Sequence, residues 1–229
     1  MKSGIPHQIA TLILKDLRRE LRTLEIITTT VAFSILLLVI FTFAFYQHDD
    51  TARLVFPGIL WVAIIFAGTL AISRTFAQEK EGGCLRALAL VPGTHLSLYY
   101  SKLVVSMIFL IVFELVLVPF LALSFNVNIL DQLGAYTITI LAGSIGFVAL
   151  GTLLAAMLVH SHLREVLLPI LLYPLLVPLL IVGVKITGAL FDGATLSELR
   201  GWLQLLIAMD IAYIFMGQFL FRWVLSAIE

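Results

Sequence analysis

Charge is scarce in this sequence: only 12% of its 229 residues are Asp, Glu, Lys or Arg, against roughly 25% in soluble domains. Lys plus Arg equal Asp plus Glu at 14 each, so there is no basic surplus of the kind that marks nucleic-acid binding. Cys84 is the only cysteine; a lone thiol makes neither an intramolecular disulfide nor a metal cluster and reads as a small loop residue. An ATP-binding loop is also missing. Gly82, Gly83 and Gly93 lie near one another, but no Gly-Lys-Ser/Thr follows to cradle phosphates. If ATP is used, a partner must supply it. Long polar stretches are absent too. The longest, from Arg74 to Lys102, is under about 30 residues, where an independent fold needs more than about 40. No nucleophile and base stand at motif spacing, so a soluble enzyme is excluded and an intramembrane one is the weakest option.

What fills the chain is apolar: 61% hydrophobic residues and a mean hydropathy of +1.10. At about 20 residues per membrane-spanning helix there is room for six or seven spans in one membrane domain. Apolar runs bounded by charges predict six, near Ile26–Tyr46, Val55–Ser73, Leu103–Phe125, Leu133–Val159, Val166–Ile186 and Trp202–Phe221. The expected fold is an all-α integral membrane protein, with an N-terminal segment 1–25 and a six-helix domain 26–229. Lys2, Lys15, Arg18, Arg19, Arg22, Arg74, Lys80, Arg86, Lys102, Arg164 and Arg222 fall on one side, against Arg53, Lys185 and Arg200 on the other. By the positive-inside rule both termini are cytoplasmic. The first apolar run starts too late and extends too far for a signal peptide, so it is read as retained.

Before the first span, Ile9, Leu12, Ile13, Leu17, Leu21 and Leu24 recur at helical spacing, with Lys15, Arg18, Arg19 and Arg22 on the complementary positions. That pattern predicts a helix in the membrane interface with its cations among headgroups; a plain cytosolic extension of the first span is the alternative. The loop 74–102 reads as a charged helix, a break at Gly82-Gly83, a short amphipathic helix carrying Leu85 and Leu88, and a stop at Pro92. So short a helix is barely stable alone, which suits docking into a groove on a cytosolic motor. Its bland counterpart is a solvated helix capping the bundle.

In this loop Phe76, Glu79, Gly83, Leu85, Leu88 and Pro92 resemble the pattern of the haem exporter protein B family, the CcmB-type membrane subunits of cytochrome c maturation. The run Phe56-Pro57-Gly58-Ile59-Leu60-Trp61-Val62 is similar to that family's opening of the second span, and Leu168-Pro169 through Tyr173-Pro174 and Pro178 to its fifth. The likeness covers about the whole chain. Arg86 departs from it, since an acid is expected there. The resemblance implies an ABC-2-type, type V-like permease in a bacterial inner membrane, coupled through Glu79 to Pro92 to a separate cytosolic ATPase. It also implies work beside a haem-handling membrane subunit and, for a complete translocation unit, pairing with a second copy or with that subunit. Haem would be transported or handled, the ATP cycle either moving haem outward or releasing a haem-loaded chaperone.

The residues limit the haem reading. Of His7, His48, His95, His160 and His162, only His48 is predicted on the outer side, so no axial pair is available there to hold haem stably. His160 and His162 lack acid or Cys neighbours other than Glu165 and read as a polar turn, so no metal site is expected. Glu114 and Asp210 fall inside spans, where acids are functional suspects by default; a structural hydrogen bond, for Glu114 to a carbonyl freed by Pro119, is the other reading. Gly143, Gly146 and Gly151 are spaced for close helix approach. Pro169, Pro174 and Pro178 are expected to bend or break the fifth span, followed by a re-entrant turn or short helix over Thr187–Leu199. Without the coupling loop, a secondary transporter or a passive scaffold would remain, though no convincing inverted repeat supports the former.

Overall fold

The computed structural model describes residues 5–45, 49–81, 94–159, 161 and 163–226. These form α1 (Ile5–Thr23), α2 (Glu25–Phe45), α3 (Asp49–Glu81), α4 (Thr94–Ser124), α5 (Leu133–Met157), α6 (Arg164–Phe191) and α7 (Arg200–Ser226), with a 3-10 turn at Leu130–Gln132. Among the described residues there is no strand. Helices α2 to α7 are each long and apolar enough to cross a membrane, as expected where every backbone N–H and C=O must be satisfied without water.

Helix α5 is the centre: 83% of its apolar window is buried, against 17% for α7. It packs on α3, α4, α6 and α7, and α3 in turn packs on α2, α4, α5 and α6. The composition of α5 explains the position, because Gly143, Ser144, Gly146, Gly151 and Thr152 are all buried there and small residues let backbones approach in lipid. Outward faces of the other helices are apolar, with Phe43, Leu115, Leu123, Phe215 and Phe219 exposed.

Part of the apolar stripe of α1 packs on protein, while Leu21 and Leu24 at its end stay exposed. Helix α1 packs along α4. Its Leu12 joins the main core, and Ile13 and Leu17 meet Ile26, Ala71, Val105 and Phe109. Buried Lys102 of α4 holds Asp16 of α1 at 2.7 Å, and Ser97 donates to Gln8 at 2.9 Å. The link to α2 is the single residue Leu24, at φ 51°, in the left-handed region that side chains rarely visit. Glu20 spans this corner, its Oε1 accepting from the N–H of Ile27 at 2.8 Å, which satisfies a donor in the first turn of α2.

Two expectations about helix ends change. Helix α4 starts at Thr94 rather than Leu103, because Lys102 is neutralised within the fold by Asp16 instead of ending the span. Helix α6 runs unbroken through Pro169, Pro174 and Pro178 and past Lys185 to Phe191. The Lys185 ammonium lies 4.8 Å from the Trp202 ring centre, a cation–π contact that accommodates the charge. Its end is a tight turn and not a re-entrant segment. Ala194 N–H bonds Ala189 O at 2.9 Å and Gly193 N–H bonds Leu190 O at 3.1 Å, with Gly193 at φ 89°, the paired closure of a glycine-capped helix. Asn126 does the same after α4, at φ 51°.

Candidate functional site

Two acids meet α5 from opposite flanks. Glu114 of α4 accepts a hydrogen bond from Ser144, and Asp210 of α7 lies against Gly146, where a methyl group would strike its Oδ1. Ser144 and Gly146 are two positions apart, about 200° around a helix, so α5 separates the carboxyl groups. Both acids are buried. The partner of Glu114 is therefore a side chain on the central helix rather than a carbonyl freed by Pro119. Oδ1 of Asp210 lies against the Gly146 backbone without a well-formed hydrogen bond among the described residues. One turn on, Tyr213 donates to Leu175 O at 2.8 Å, between Pro174 and Pro178 of α6.

Toward the other end of α3 stands Trp61, buried to 1% exposure. Its indole lies between α5 and α6, where only glycine fits. A Cβ on Gly183 would come within 2.6 Å of the ring, and one on Gly143 would overlap it. The indole Nε1–H donates to Thr187 Oγ1 at 3.0 Å, and Thr187 donates to Gly183 O at 2.8 Å. Sequence reasoning singled out Gly143 for close packing and placed Trp61 in a family-like run, but did not join them. The available signal was a tryptophan well inside a span, whose N–H must find a partner in lipid.

The predicted coupling segment is seen at its base. Phe76 is buried in the core near the end of α3, and Glu79 lies in the last turn of that helix. Gly83, Leu85, Leu88 and Pro92 lie outside the described residues, as do His160 and His162. The returning strut, α4, is gripped in its first turns. Tyr99 donates to Ala149 O at 3.4 Å and packs on Phe221 with ring centres 5.2 Å apart, and Tyr100 donates to Gln218 at 3.1 Å. Gly217 leaves the room that the Tyr99 ring occupies. Both flanks of the segment thus continue as helices packed into the bundle. The ion pair of Lys102 with Asp16, which sequence reasoning missed, ties α1 to the same strut; an isolated Lys at the edge of a span reads as a boundary.

Comparison with protein families matches residues 7–226 to the family described as CcmB protein. None of the curated proteins searched matches the chain.

Proposed function

The chain belongs to the CcmB family, a family of multi-pass membrane transporter subunits, and from this we propose that it is the permease subunit of a haem-exporter ABC transporter acting in cytochrome c maturation. The observation that carries this reading is a family match over residues 7–226, nearly the whole chain, joined to a helical bundle with six helices able to cross a membrane. A separate cytosolic ATPase supplies the energy and docks on the segment from Phe76 to Pro92, with Glu79, Gly83, Leu85 and Leu88 as its contact and hinge residues. The rigid flanks support that role: a push at the end of α3 or the start of α4 is borne by packed helices rather than absorbed by loops.

In this reading both termini and the 74–102 segment face the cytoplasm, and the membrane is the bacterial inner membrane. Glu114 and Asp210 on either side of α5 are the polar groups whose contacts change as the bundle switches. A haem-handling membrane subunit receives or presents the cargo, and haem passes through without stable ligation by this chain.

Affinity purification from mild detergent tests the proposal. A small ATPase and a haem-handling membrane protein co-purify, and ATPase activity falls in Gly83→Pro and Glu79→Lys although both variants insert normally. Recovery of no ATPase, or full cytochrome c assembly in both variants, overturns it.

A further inference from the structure

The outward face of α1 is unusual in what it leaves exposed. Most of its apolar stripe is taken up by α4 and the core through Leu12, Ile13 and Leu17, which leaves only its last positions, Leu21 and Leu24, exposed for lipid. What remains outward is Lys15, Arg18, Arg19 and Arg22, with Leu14 at 52% and Leu21 at 71% exposure beside them. Lys15, Arg18 and Arg22 follow the i, i+3, i+7 spacing of one helical face. The acids nearby are engaged elsewhere. Asp16 pairs with Lys102 and Lys15, Glu20 is buried at the corner, and Glu25 pairs with Arg74 at 3.1 Å. The described wall of an open hollow of about 510 Å³ is formed by this face, from Thr11 to Thr23.

Depth decides what the hollow meets. The first membrane-crossing segment begins at Glu25. Arg22 precedes it by three residues and Arg18 and Arg19 by six or seven, across the Leu24 corner, a separation short enough to keep all three beside the headgroup zone. The position is fixed by the Lys102–Asp16 pair and the Glu20 bridge to Ile27. Cations clustered beside a span attract anionic lipid, and two arginine forks aimed at one hollow suit phosphate oxygens.

We propose that this face of α1 is a preorganised site for the headgroup of an anionic phospholipid, with Arg18 and Arg22 on the phosphate, Lys15 and Arg19 at its margins, and Leu14 and Leu21 against the upper acyl chains. Recognition is by charge and geometry, unlike that of an amphipathic helix which inserts into packing defects.

The test uses the full-length protein in nanodiscs of phosphatidylcholine, with and without phosphatidylglycerol, reading lipid retained through delipidation by mass spectrometry and the thermal unfolding midpoint. The wild type retains phosphatidylglycerol over phosphatidylcholine and melts higher in its presence. Arg18→Gln with Arg22→Gln weakens retention by roughly fivefold for each cation removed, whereas Arg200→Gln, which removes an exposed cation at the opposite end of the bundle, leaves it unchanged. Helical circular dichroism equal to wild type shows that the double variant is folded. Equal retention of the two lipids by wild type overturns the proposal, as does undiminished retention by the double variant. Stabilisation by inorganic phosphate equal to that by phosphatidylglycerol would instead make this a free-anion site. Loss of ATPase co-purification with lipid retention intact would assign the face to the protein partner. Either result overturns the lipid assignment.

Discussion

Ser144 and Glu114 form the most exposed dependency in the bundle at the level of single residues. Removing the hydroxyl in Ser144→Ala leaves a buried carboxyl without that donor, and an unsatisfied buried group costs about 1–3 kcal/mol. The expected outcome is a lower unfolding midpoint in detergent, with Ser144→Thr retaining most of the wild-type value. Equal midpoints for Ser144→Ala and wild type would show that the bond contributes nothing. A second residue-scale prediction concerns Trp61. Gly143→Ala forces its Cβ into the indole, and overpacking of this kind costs about 1–3 kcal/mol. Combining it with Trp61→Phe should restore part of the loss; simple additivity of the two losses would mean that the clash is relieved elsewhere. Glu114 and Asp210 were legible in the sequence because an acid in an apolar run is conspicuous. Their separation by α5 was not, since it depends on which faces of three helices meet.

Among the elements, α1 is tied to α4 by one buried cation. Lys102→Met leaves Asp16 with only the more exposed Lys15 as an ion-pair partner, so the loss falls below the about 3–5 kcal/mol of a buried charge stranded outright. Helix α1 should then separate from α4 and become open to limited proteolysis near Thr23, while the spans stay intact. Lys102→Met with Asp16→Leu should recover much of the protection, and proteolysis indistinguishable from wild type in the single variant would exclude the strut role. The helical stripe of α1 was readable from Ile9, Leu12, Ile13 and Leu17, but a stripe does not name its partner; lipid and α4 look alike to a periodic pattern. For the same reason the start of α4 was set too late and the end of α6 too early. Lys102 and Lys185 look like boundaries until Asp16 and the Trp202 ring are brought to them by the fold.

For the whole molecule, Cys84 is a built-in reporter of orientation, being the only cysteine and lying in the 74–102 segment. In the proposed topology a membrane-impermeant maleimide labels it in inverted inner-membrane vesicles and not in intact cells made permeable only at the outer membrane; the reverse pattern would invert the assignment of sides. Six crossings could be counted from hydropathy alone because each run is close to or above the roughly 20 residues that a bilayer needs. Which helix sits at the centre could be guessed only from the small residues of α5. That central place has a consequence for biosynthesis. Helix α5 leaves the ribosome before α6 and α7, two of the helices that cover it, so its glycine and hydroxyl faces first meet lipid or the insertion machinery. The bundle therefore cannot close span by span in order of synthesis. It must wait for the last third of the chain, and a ribosome that stalls after Met157 leaves behind a chain whose most inward helix faces outward.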